Sequence, residues 1–350
     1  MDEILVKEND RYWDCLDQAM EASYGGRTDE ALAWLDEALK AIPNGAEAHN
    51  GRGEILWEEG RLEEASYELE LATIADSKFV TAYLNRAELL LEDMGEFEQV
   101  IQICDLLLSG QSELPSLDRT TEAEVYYLKA KALFYLDDLE GSRFLIKRAS
   151  KAASNLALYR AFEGQIAFEM GDFHEALSLL EHASVLEPEV PNSLYYLGLV
   201  FERLNKSNHA SSAFLAAHNL DPDHYMIPVE FSQVVVTEAT RTSIDNLPRS
   251  FRGYLDGVST SIEDFPSQAI IAEEEVSPQV LGLFIGNPRI RGLKPVKELS
   301  QGRLVLYKKN LEKVCKNIDE LEEQIQITIR QEIGYYLGLD EDDLDRLGLS

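Results

Sequence analysis

The stretch GRTDEALAWLDEALKAIP, residues 26–43, returns at residues 171–188 in the related form GDFHEALSLLEHASVLEP. Each copy begins with glycine, continues as an alanine-rich segment with apolar residues at helical spacing, and ends in proline, which cannot continue a helix. Self-similarity of this kind indicates a repeat architecture, in which each unit covers the apolar face left exposed by its neighbour. The sequence therefore predicts an α-helical solenoid.

The repeat has a period of about 34 residues and six copies. Its second helix carries small residues in two columns seven positions apart, and its first helix carries one column. These columns are Ala31, Ala65, Val100, Ser142, Ala176 and Ala210, then Ala38, Ala72, Leu107, Ala149, Ala183 and Ala217, and in the first helix Ala19, Gly53, Ala87, Ala130, Gly164 and Gly198. Val100, Leu107 and Ser142 depart from the pattern. Because antiparallel helices approach closely only where side chains are small, the columns predict the helix contacts.

The turns between the two helices and the spacing of the copies complete the pattern. The turn positions hold residue types that tolerate left-handed backbone angles, namely Gly26, Gly60, Gly95, Asp137, Gly171 and Asn205. Two steps are longer than the rest, by one residue near Asp93 and by a larger insertion around SGQSELPSLDRTT, residues 109–121.

This pattern resembles the tetratricopeptide repeat, matched six times over residues 12–224 after a lead-in of residues 1–11, with closing prolines Pro43, Pro188 and Pro222. The resemblance implies a concave groove, lined by the first helix of each repeat, that holds a peptide or a partner protein. Placed on the family pattern, the groove residues are Trp13, Asn50, Glu54, Trp57, Glu58, Glu88, Glu92, Tyr127, Tyr135 and Tyr195. Individually, each could instead be a solvated carboxylate or an aromatic packed between repeats.

The charge of the chain limits the partners. The 64 Asp and Glu residues exceed the 32 Lys and Arg residues, for a formal net charge of -32, which disfavours nucleic acid and anionic membranes. The predicted groove is acidic and aromatic, with Lys131 and Arg203 as its basic residues, so the lysine and arginine clamp of some family members is not evident. We expect a protein or peptide partner of basic or mixed charge.

Bulk sequence features also bear on the location of the protein. The chain begins with an acidic segment and has no apolar run of about 18 residues, so neither secretion nor membrane insertion is expected. Cys15, Cys104 and Cys315 are far apart and form no paired motif, which favours a reducing compartment. These observations predict a cytoplasmic protein.

The last third, residues 225–350, is predicted to be a separate, small α+β domain. Its β-branched runs are QVVV (233–236), GVSTSI (257–262) and GRLVLY (302–307), and short strands are expected in LGLFIGNPRI (281–290) and GRLVLYKKNL (302–311). A long helix is expected in KNIDELEEQIQITIRQEIGYYLG (316–338), capped by Asp319 or Asn317 and closed by Gly338. Its buried stripe is Leu321, Ile325, Ile329, Ile333 and Leu337.

The order of LGLFIGNPRI, GRLVLYKKNL and QEIGYYLGLDEDDLDRLGL (331–349) resembles the minimal zincin-like metallopeptidases. In that family the last helix carries H-E-x-G-H-x-x-G-L, where the histidines bind zinc, the glutamate takes a proton from the bound water, and an acidic residue after the glycine completes the site. The chemistry needs two imidazoles at i and i+4 because these converge on one metal ion. The resemblance thus implies where a zinc site would lie.

Here the two histidine positions are Gln331 and Tyr335. Glu332 keeps the place of the base, and Glu341, or its neighbour Asp340, falls at the third ligand position. All six histidines, at 49, 174, 182, 209, 218 and 224, precede the domain. Since zinc sites favour nitrogen and sulfur ligands, the sequence predicts no metal, no cofactor and no catalytic residue, with Glu332 a vestigial or structural group.

The preferred hypothesis is an interaction scaffold or adaptor with a catalytically inactive pseudo-metallopeptidase domain. That domain could hold an extended peptide by strand addition at GRLVLYKK (302–309), fill the concave face of the array, or cap the last repeat. It could also be a spacer without a binding role. The alternative is an active, atypical zinc metallopeptidase whose repeats recruit the substrate.

Overall fold

The computed structural model describes residues 2–110, 115–153, 155–247, 258–286 and 302–336. The chain divides into two compact units, Met1–Glu163 and Gly164–Ser350, and each unit contains hydrophobic clusters of its own. Among the described helices, none combines the length and the apolar character required to cross a lipid bilayer.

Antiparallel helix pairs build the array, as the repeats predict. The helices are α1 (Asp2–Tyr24), α2 (Thr28–Ala41), α3 (Ala46–Glu58), α4 (Leu62–Ala75), α5 (Val80–Leu89), α6 (Phe97–Leu108), α7 (Arg119–Tyr135), α8 (Leu139–Ala152), α9 (Ala157–Glu169), α10 (Phe173–Leu186), α11 (Pro191–Arg203) and α12 (Ser207–Leu220). Every residue of the three predicted columns is buried. The predicted solenoid fold is confirmed.

All six predicted turn residues adopt left-handed backbone angles. Their φ values lie between 58° at Asn205 and 79° at Gly171, and Asp137 takes 65°. A residue with a side chain at these positions is tolerated when it is Asn or Asp, whose short polar side chains suit this region. The in-phase occurrence of Gly, Asp and Asn is therefore explained by the backbone geometry of the turns.

The one-residue insertion near Asp93 has a structural counterpart. A π-helical turn, Leu90–Met94, extends α5, and the N–H of Glu96 donates to the carbonyl of Leu90 at 2.9 Å. A π-turn adds one residue to a helix without ending it. The extra residue is thus absorbed inside the helix, and the following turn at Gly95 returns to the repeat geometry.

Ser142 replaces the usual alanine of its column at little cost. The residue is fully buried, and its hydroxyl donates to the carbonyl oxygen of Ala130 at 2.7 Å. Because a buried hydroxyl is destabilising only when it lacks a partner, this contact lets serine take the place of a small apolar residue.

The C-terminal part of the second unit is a small three-stranded sheet packed on helices. Its elements are α13 (Gln233–Asn246), β1 (Ser259–Glu263), α14 (Gln268–Glu273), β2 (Gly282–Ile285), β3 (Arg303–Tyr307), α15 (Lys308–Val314) and α16 (Ile318–Tyr336). The strand order is β1-β3-β2, with β1 parallel and β2 antiparallel to β3. Leu304 and Leu306 of β3 pack in one core with the predicted stripe Leu321, Ile325, Ile329 and Ile333.

Two segments of this part need comment. The β-branched run QVVV, for which no element was predicted, begins α13, and the Ser232 hydroxyl caps this helix by accepting the N–H of Val235 at 3.3 Å. The strand predicted at residues 302–311 ends at Tyr307, and α15 follows.

The cap of the long helix is one of the two predicted candidates. The Asn317 side chain accepts the N–H of Glu320 at 3.0 Å, so Asn317 is the cap and Asp319 is not. The predicted positions Leu337, Gly338, Asp340 and Glu341, and residues 287–290, lie outside the described residues.

Candidate functional site

A cavity of about 620 Å³ opens among the first three repeats. Five of the ten predicted groove residues border it, namely Trp13, Asn50, Glu54, Trp57 and Glu58. We call it the Trp13–Trp57 cavity. Its other lining residues are Leu16, Asp17, Ala19, Met20, Ser23, Tyr24, Leu35, Glu47, Gly51, Ile55, Phe79 and Asn85. Its volume falls in the range of ~300–1,000 Å³ typical of ligand sites.

Helical spacing places these side chains on common faces. On α1, Trp13, Asp17 and Met20 are separated by four and three residues, and on α3 Asn50, Glu54 and Trp57 follow the same spacing. Residues three and four apart lie on one side of a helix. Each of the two helices therefore presents at least one aromatic residue and at least one carboxylate to the cavity.

Hydrogen bonds fix the α3 wall of the cavity. The Asn85 amide donates to Asn50 Oδ1 at 3.0 Å and to Glu54 Oε1 at 2.6 Å. The Trp57 indole N–H donates to Asp93 Oδ2 at 2.6 Å. These contacts orient the Trp57 ring and the Glu54 carboxylate before any partner arrives, which lowers the entropy lost on binding.

The lining of the cavity is negatively charged and partly apolar. It includes the carboxylates of Asp17, Glu47, Glu54 and Glu58, and no lysine or arginine is among the described residues that line it. Trp13 has 47% of its surface exposed and Met20 has 53%, so apolar surface is open to solvent beside these carboxylates. Exposed aromatic and apolar surface next to unmatched charge is a feature of binding sites.

A second group of predicted groove residues surrounds Lys131. Its ammonium forms an ion pair with Glu92 and lies 5.8 Å from the centre of the Tyr127 ring. Tyr127 also packs against Tyr159, with ring centres 5.1 Å apart. Lys131 is therefore engaged within the array, and Tyr127 serves packing between repeats, which was the alternative interpretation of these aromatics.

The remaining predicted residues are more scattered. Tyr135 is half exposed and stacks on Phe97 with ring centres 4.9 Å apart, while Glu88 is exposed on α5. Tyr195 lies in the second unit, where its ring packs on Phe214 and Tyr225 and burial raises the pKa of its hydroxyl to about 12. Half of the predicted set thus borders the Trp13–Trp57 cavity and half does not.

In the second unit, the C-terminal part packs against the helices of the last two repeats around Arg203. The Arg203 guanidinium lies over the rings of Phe173, at 4.5 Å, and Phe265, at 4.8 Å, and donates to the carbonyl of Pro266 at 2.5 Å. Burial lowers the pKa of Arg203 to about 10. The second basic residue expected in the groove is therefore held by the chain itself.

Glu169 forms the second anchor of this contact. Its buried carboxylate accepts the Ser277 hydroxyl at 2.6 Å, the Gln279 amide at 2.8 Å and the Tyr196 hydroxyl at 3.3 Å. Ile271 packs into the same apolar cluster as Tyr196. Buried polar groups whose hydrogen bonds are satisfied in this way hold the C-terminal part in one arrangement on the repeat helices.

A buried ion pair and a turn contact complete the packing of the C-terminal part. Lys313 Nζ lies 2.7 Å from Glu202 Oε2, with only 4% of the lysine side chain exposed. Gln268 donates to the carbonyl of Gly171 at 2.8 Å. Helix surface of repeats five and six is thus covered by the chain's own residues 265–279 and 313.

The helix that resembles a zinc-peptidase helix is α16. The carboxylate of Glu332 accepts the backbone N–H of Phe284 on β2 at 2.8 Å, and burial raises the pKa of Glu332 to about 7. Gln331 is partly buried, and Tyr335 is 48% exposed. The carboxylate is therefore already used as a structural acceptor at the edge of the sheet.

Strand addition at residues 302–309, one of the roles left open for the domain, is ruled out by the pairing of β3. β3 pairs with β1 on one side and with β2 on the other, with registers Val305 to Ser261 and Val305 to Leu283. A strand with both neighbours in place has no free backbone edge to offer a peptide.

The donors at the motif positions fit zinc poorly. Gln331 offers a neutral amide oxygen and Tyr335 a phenol oxygen in place of the imidazole nitrogens that zinc favours, and Glu332 Oε2 accepts an N–H from β2. Over the described residues, which exclude Asp340 and Glu341, no group of three or more His, Cys, Asp or Glu side chains is placed to hold a metal. The predicted absence of a metal and a cofactor stays a prediction.

Comparison with protein families gives two matches. A tetratricopeptide repeat model matches residues 16–79 and 163–224, and a zincin-like metallopeptidase model matches residues 255–349. The chain is a tetratricopeptide repeat protein with a zincin-like metallopeptidase domain. No curated protein matches the sequence.

Solved structures agree on the fold of the repeats. PilF of Pseudomonas aeruginosa is similar with a TM-score of 0.53 at 16% identity, covering 62% of this chain and 95% of its own. PilW, a type IV pilus biogenesis factor, gives a TM-score of 0.53 at 14% identity over 61% of this chain and 94% of its own. At such low identity these matches establish the repeat fold alone.

Several residues of the Trp13–Trp57 cavity were not predicted. Asp17, Met20 and Tyr24 lie on the same face of α1 as Trp13, and their helical spacing was a usable signal. Asn85 lies on α5, one position beyond the residue that a 34-residue step from Asn50 reaches, so the repeat phase gave no signal for it. Phe79 lies just before α5 and carries no such signal.

Proposed function

We propose that this protein is an interaction scaffold whose first three repeats bind a peptide segment of a partner protein in the Trp13–Trp57 cavity. The observation that carries the proposal is a cavity of about 620 Å³ in which an apolar and aromatic surface adjoins four carboxylates. A partner segment of basic or mixed charge matches this lining, whereas polyanionic nucleic acid and anionic membranes are repelled by a chain of net charge -32. A cytoplasmic location is part of the proposal.

In this proposal the zincin-like domain binds a partner or supports the repeat array, and it does not cleave a substrate. Gln331 and Tyr335 replace both imidazoles of the motif, and one carboxylate oxygen of Glu332 accepts the Phe284 N–H. Both substitutions remove the ligand type that zinc prefers. The domain then serves to cover repeats five and six through Glu169 and Arg203.

One observation favours the alternative of an active, atypical zinc metallopeptidase. The raised pKa of Glu332, about 7, is suited to a general base at neutral pH. Peptidase activity that disappears with a chelator and with Glu332→Gln would establish that alternative. Our proposal expects no cleavage above the rate of the Glu332→Gln variant.

The proposal is tested by peptide selection on the full chain. A random peptide library displayed on phage is panned against the wild-type protein, and the best peptides are measured for affinity. We expect enrichment of lysine or arginine among apolar residues, and a loss of at least about tenfold in affinity with Trp57→Ala, the magnitude of a binding hot spot.

A matched pair of charge variants separates a local effect from net charge. Glu58→Gln removes a carboxylate that lines the cavity, and Glu63→Gln removes an exposed one on α4. We expect the first to weaken binding and the second to leave it unchanged. Affinities that are insensitive to both Trp57→Ala and Glu58→Gln would contradict the proposal.

A further inference from the structure

We infer that the Trp13–Trp57 cavity recognises an arginine side chain flanked by apolar residues of the partner segment. This inference rests on the proposed function and specifies its ligand. Four features of the cavity support it, namely its charge, its aromatic residues, the unused carboxylates and its volume.

The charge of the lining selects a cation. Asp17, Glu47, Glu54 and Glu58 contribute carboxylates, and the part of the lining that the structure describes contains no lysine or arginine to balance them. Glu47 accepts the Tyr12 hydroxyl at 2.9 Å and Glu54 accepts the Asn85 amide, neither of which brings a positive charge. A ligand cation therefore meets carboxylates that no cation of the described lining already pairs.

Two of these carboxylates have capacity for new hydrogen bonds. Asp17 and Glu58 are exposed, and the carboxylate of neither takes part in a hydrogen bond or ion pair within the described part of the chain. A guanidinium group can donate two parallel N–H bonds to one carboxylate, in a geometry that an ammonium group cannot match.

The aromatic residues favour arginine over lysine. Trp13, Tyr24, Trp57 and Phe79 line the same cavity, and the indole of Trp57 is held in place by its hydrogen bond to Asp93. A planar, weakly hydrated guanidinium stacks on aromatic faces, and tryptophan is the strongest partner for such contacts. The chain itself uses this chemistry where Arg203 lies over Phe173 and Phe265.

The volume and the apolar lining accommodate more than the cation. A cavity of about 620 Å³ lies in the middle of the ~300–1,000 Å³ range of sites for drug-sized ligands, so one arginine leaves room for neighbouring side chains. Leu16, Met20 and Ile55 offer apolar surface for those neighbours. The recognised unit is thus an arginine within an apolar segment.

The test uses four synthetic peptides that differ at one position. They share an acetylated frame of leucine, alanine and serine, with arginine, lysine, citrulline or norleucine at the centre, and binding to the full chain is followed by tryptophan fluorescence. Citrulline keeps the shape of arginine without its charge. We expect the arginine peptide to bind at least about tenfold more tightly than the citrulline peptide and several-fold more tightly than the lysine peptide.

Variants of the protein locate the effect. Glu58→Gln should reduce the preference for arginine over citrulline by about fivefold or more, and Glu63→Gln should leave it unchanged. A preference that persists in a Trp57→Ala, Glu58→Gln double variant would overturn the inference, because arginine would then be recognised elsewhere.

The outcomes separate this inference from the proposed function. Equal and tight binding of all four peptides, or equal binding of arginine and lysine, overturns the arginine inference and leaves a peptide-binding scaffold intact. Failure of all four peptides, together with failure of the phage selection, overturns both.

Discussion

The carboxylate of Glu332 accepts the backbone N–H of Phe284 at 2.8 Å, which ties the position of a catalytic base to an edge strand of the sheet. Phe284 pairs with Leu304 in the antiparallel ladder. Hydrogen-bonded and non-hydrogen-bonded pairs alternate along such a ladder, and the bond from the Tyr307 N–H to the carbonyl of Leu281 puts Phe284 in a non-hydrogen-bonded pair. The N–H of Phe284 therefore points away from β3. Glu332 therefore supplies an acceptor for a backbone donor that faces away from β3. In this chain the residue has a structural function that needs no metal.

The first prediction concerns the pH dependence of folding stability. Burial raises the pKa of Glu332 from 4.5 to about 7, so its neutral form is favoured in the folded state. The stability that this group contributes is complete below pH ~4.5 and is lost as the pH rises through 7. The free energy of unfolding of the wild type should fall by up to ~3 kcal/mol over this range through Glu332.

Glu332→Gln removes this titration and keeps an oxygen that can accept the Phe284 N–H. Relative to the wild type, the variant should gain ~2–3 kcal/mol in unfolding free energy between pH 5 and pH 8, measured by urea denaturation. Glu323→Gln, on the exposed side of the same helix, is the control and should show no such gain. An identical pH profile for Glu332→Gln and the wild type would show that the Glu332 carboxylate is not buried in this way.

The second prediction concerns Glu169. Replacing it with alanine leaves the Ser277 hydroxyl, the Gln279 amide and the Tyr196 hydroxyl without their shared acceptor. Because each unsatisfied buried donor costs ~1–3 kcal/mol, we expect a loss of about 3 kcal/mol in the unfolding free energy of the second unit. Glu181→Ala, at an exposed position of α10, should change stability by less than ~0.5 kcal/mol. A Glu169→Ala protein as stable as the control would show that this contact does not hold the unit together.

The third prediction concerns removal of the C-terminal part. A chain ending at residue 226 lacks Phe265, Ile271 and Gln279, and so exposes Phe173 and Tyr196 of repeats five and six. Amide hydrogen exchange should become faster in α10 and α11, while peptide affinity at the Trp13–Trp57 cavity should stay within about twofold of the full chain. Unchanged exchange would favour the spacer hypothesis, in which the domain does not support the array.

The fourth prediction uses two glycines of α3. A Cβ atom at Gly53 would lie 2.6 Å from Leu69 Cγ, and Leu69 is fully buried, whereas at Gly51 the nearest contact is Leu35 Cδ2 at 3.4 Å. Gly53→Ala should therefore destabilise the first unit by ~1–3 kcal/mol through overpacking. Gly51→Ala should stabilise it by up to ~1 kcal/mol through helix propensity. Thermal unfolding of both variants measures the difference, and equal shifts would contradict the packing of α3 on α4.

The sequence predicts the array well because its determinants are local and repeated. A left-handed turn at Asp137 or Asn205 and a buried column at Ala176 follow from residue type and phase. The π-turn at residues 90–94 also corresponds to a feature of the sequence, namely the one-residue insertion near Asp93. Elements whose environment is set by their immediate neighbours are the ones that sequence patterns report.

The parts that were missed depend on distant partners. The pairing of β3 with both β1 and β2 joins segments that are far apart along the chain, and no local pattern marks β3 as the central strand. Arg203 was placed in an open groove, but Phe265, 62 residues later, covers it. Five of the ten predicted groove residues border the Trp13–Trp57 cavity, whereas Tyr127 and Tyr195 pack against other aromatic rings of the chain.

The central claim is that this chain binds a partner without cleaving it, and its zinc content tests that claim most directly. The untagged full chain, purified without chelators and supplied with zinc, is dialysed and analysed by elemental mass spectrometry. We predict far less than one zinc per chain, with no change on Glu341→Ala. One tightly held zinc per chain that is lost with Glu341→Ala would contradict the claim and establish a metal site in the zincin-like domain.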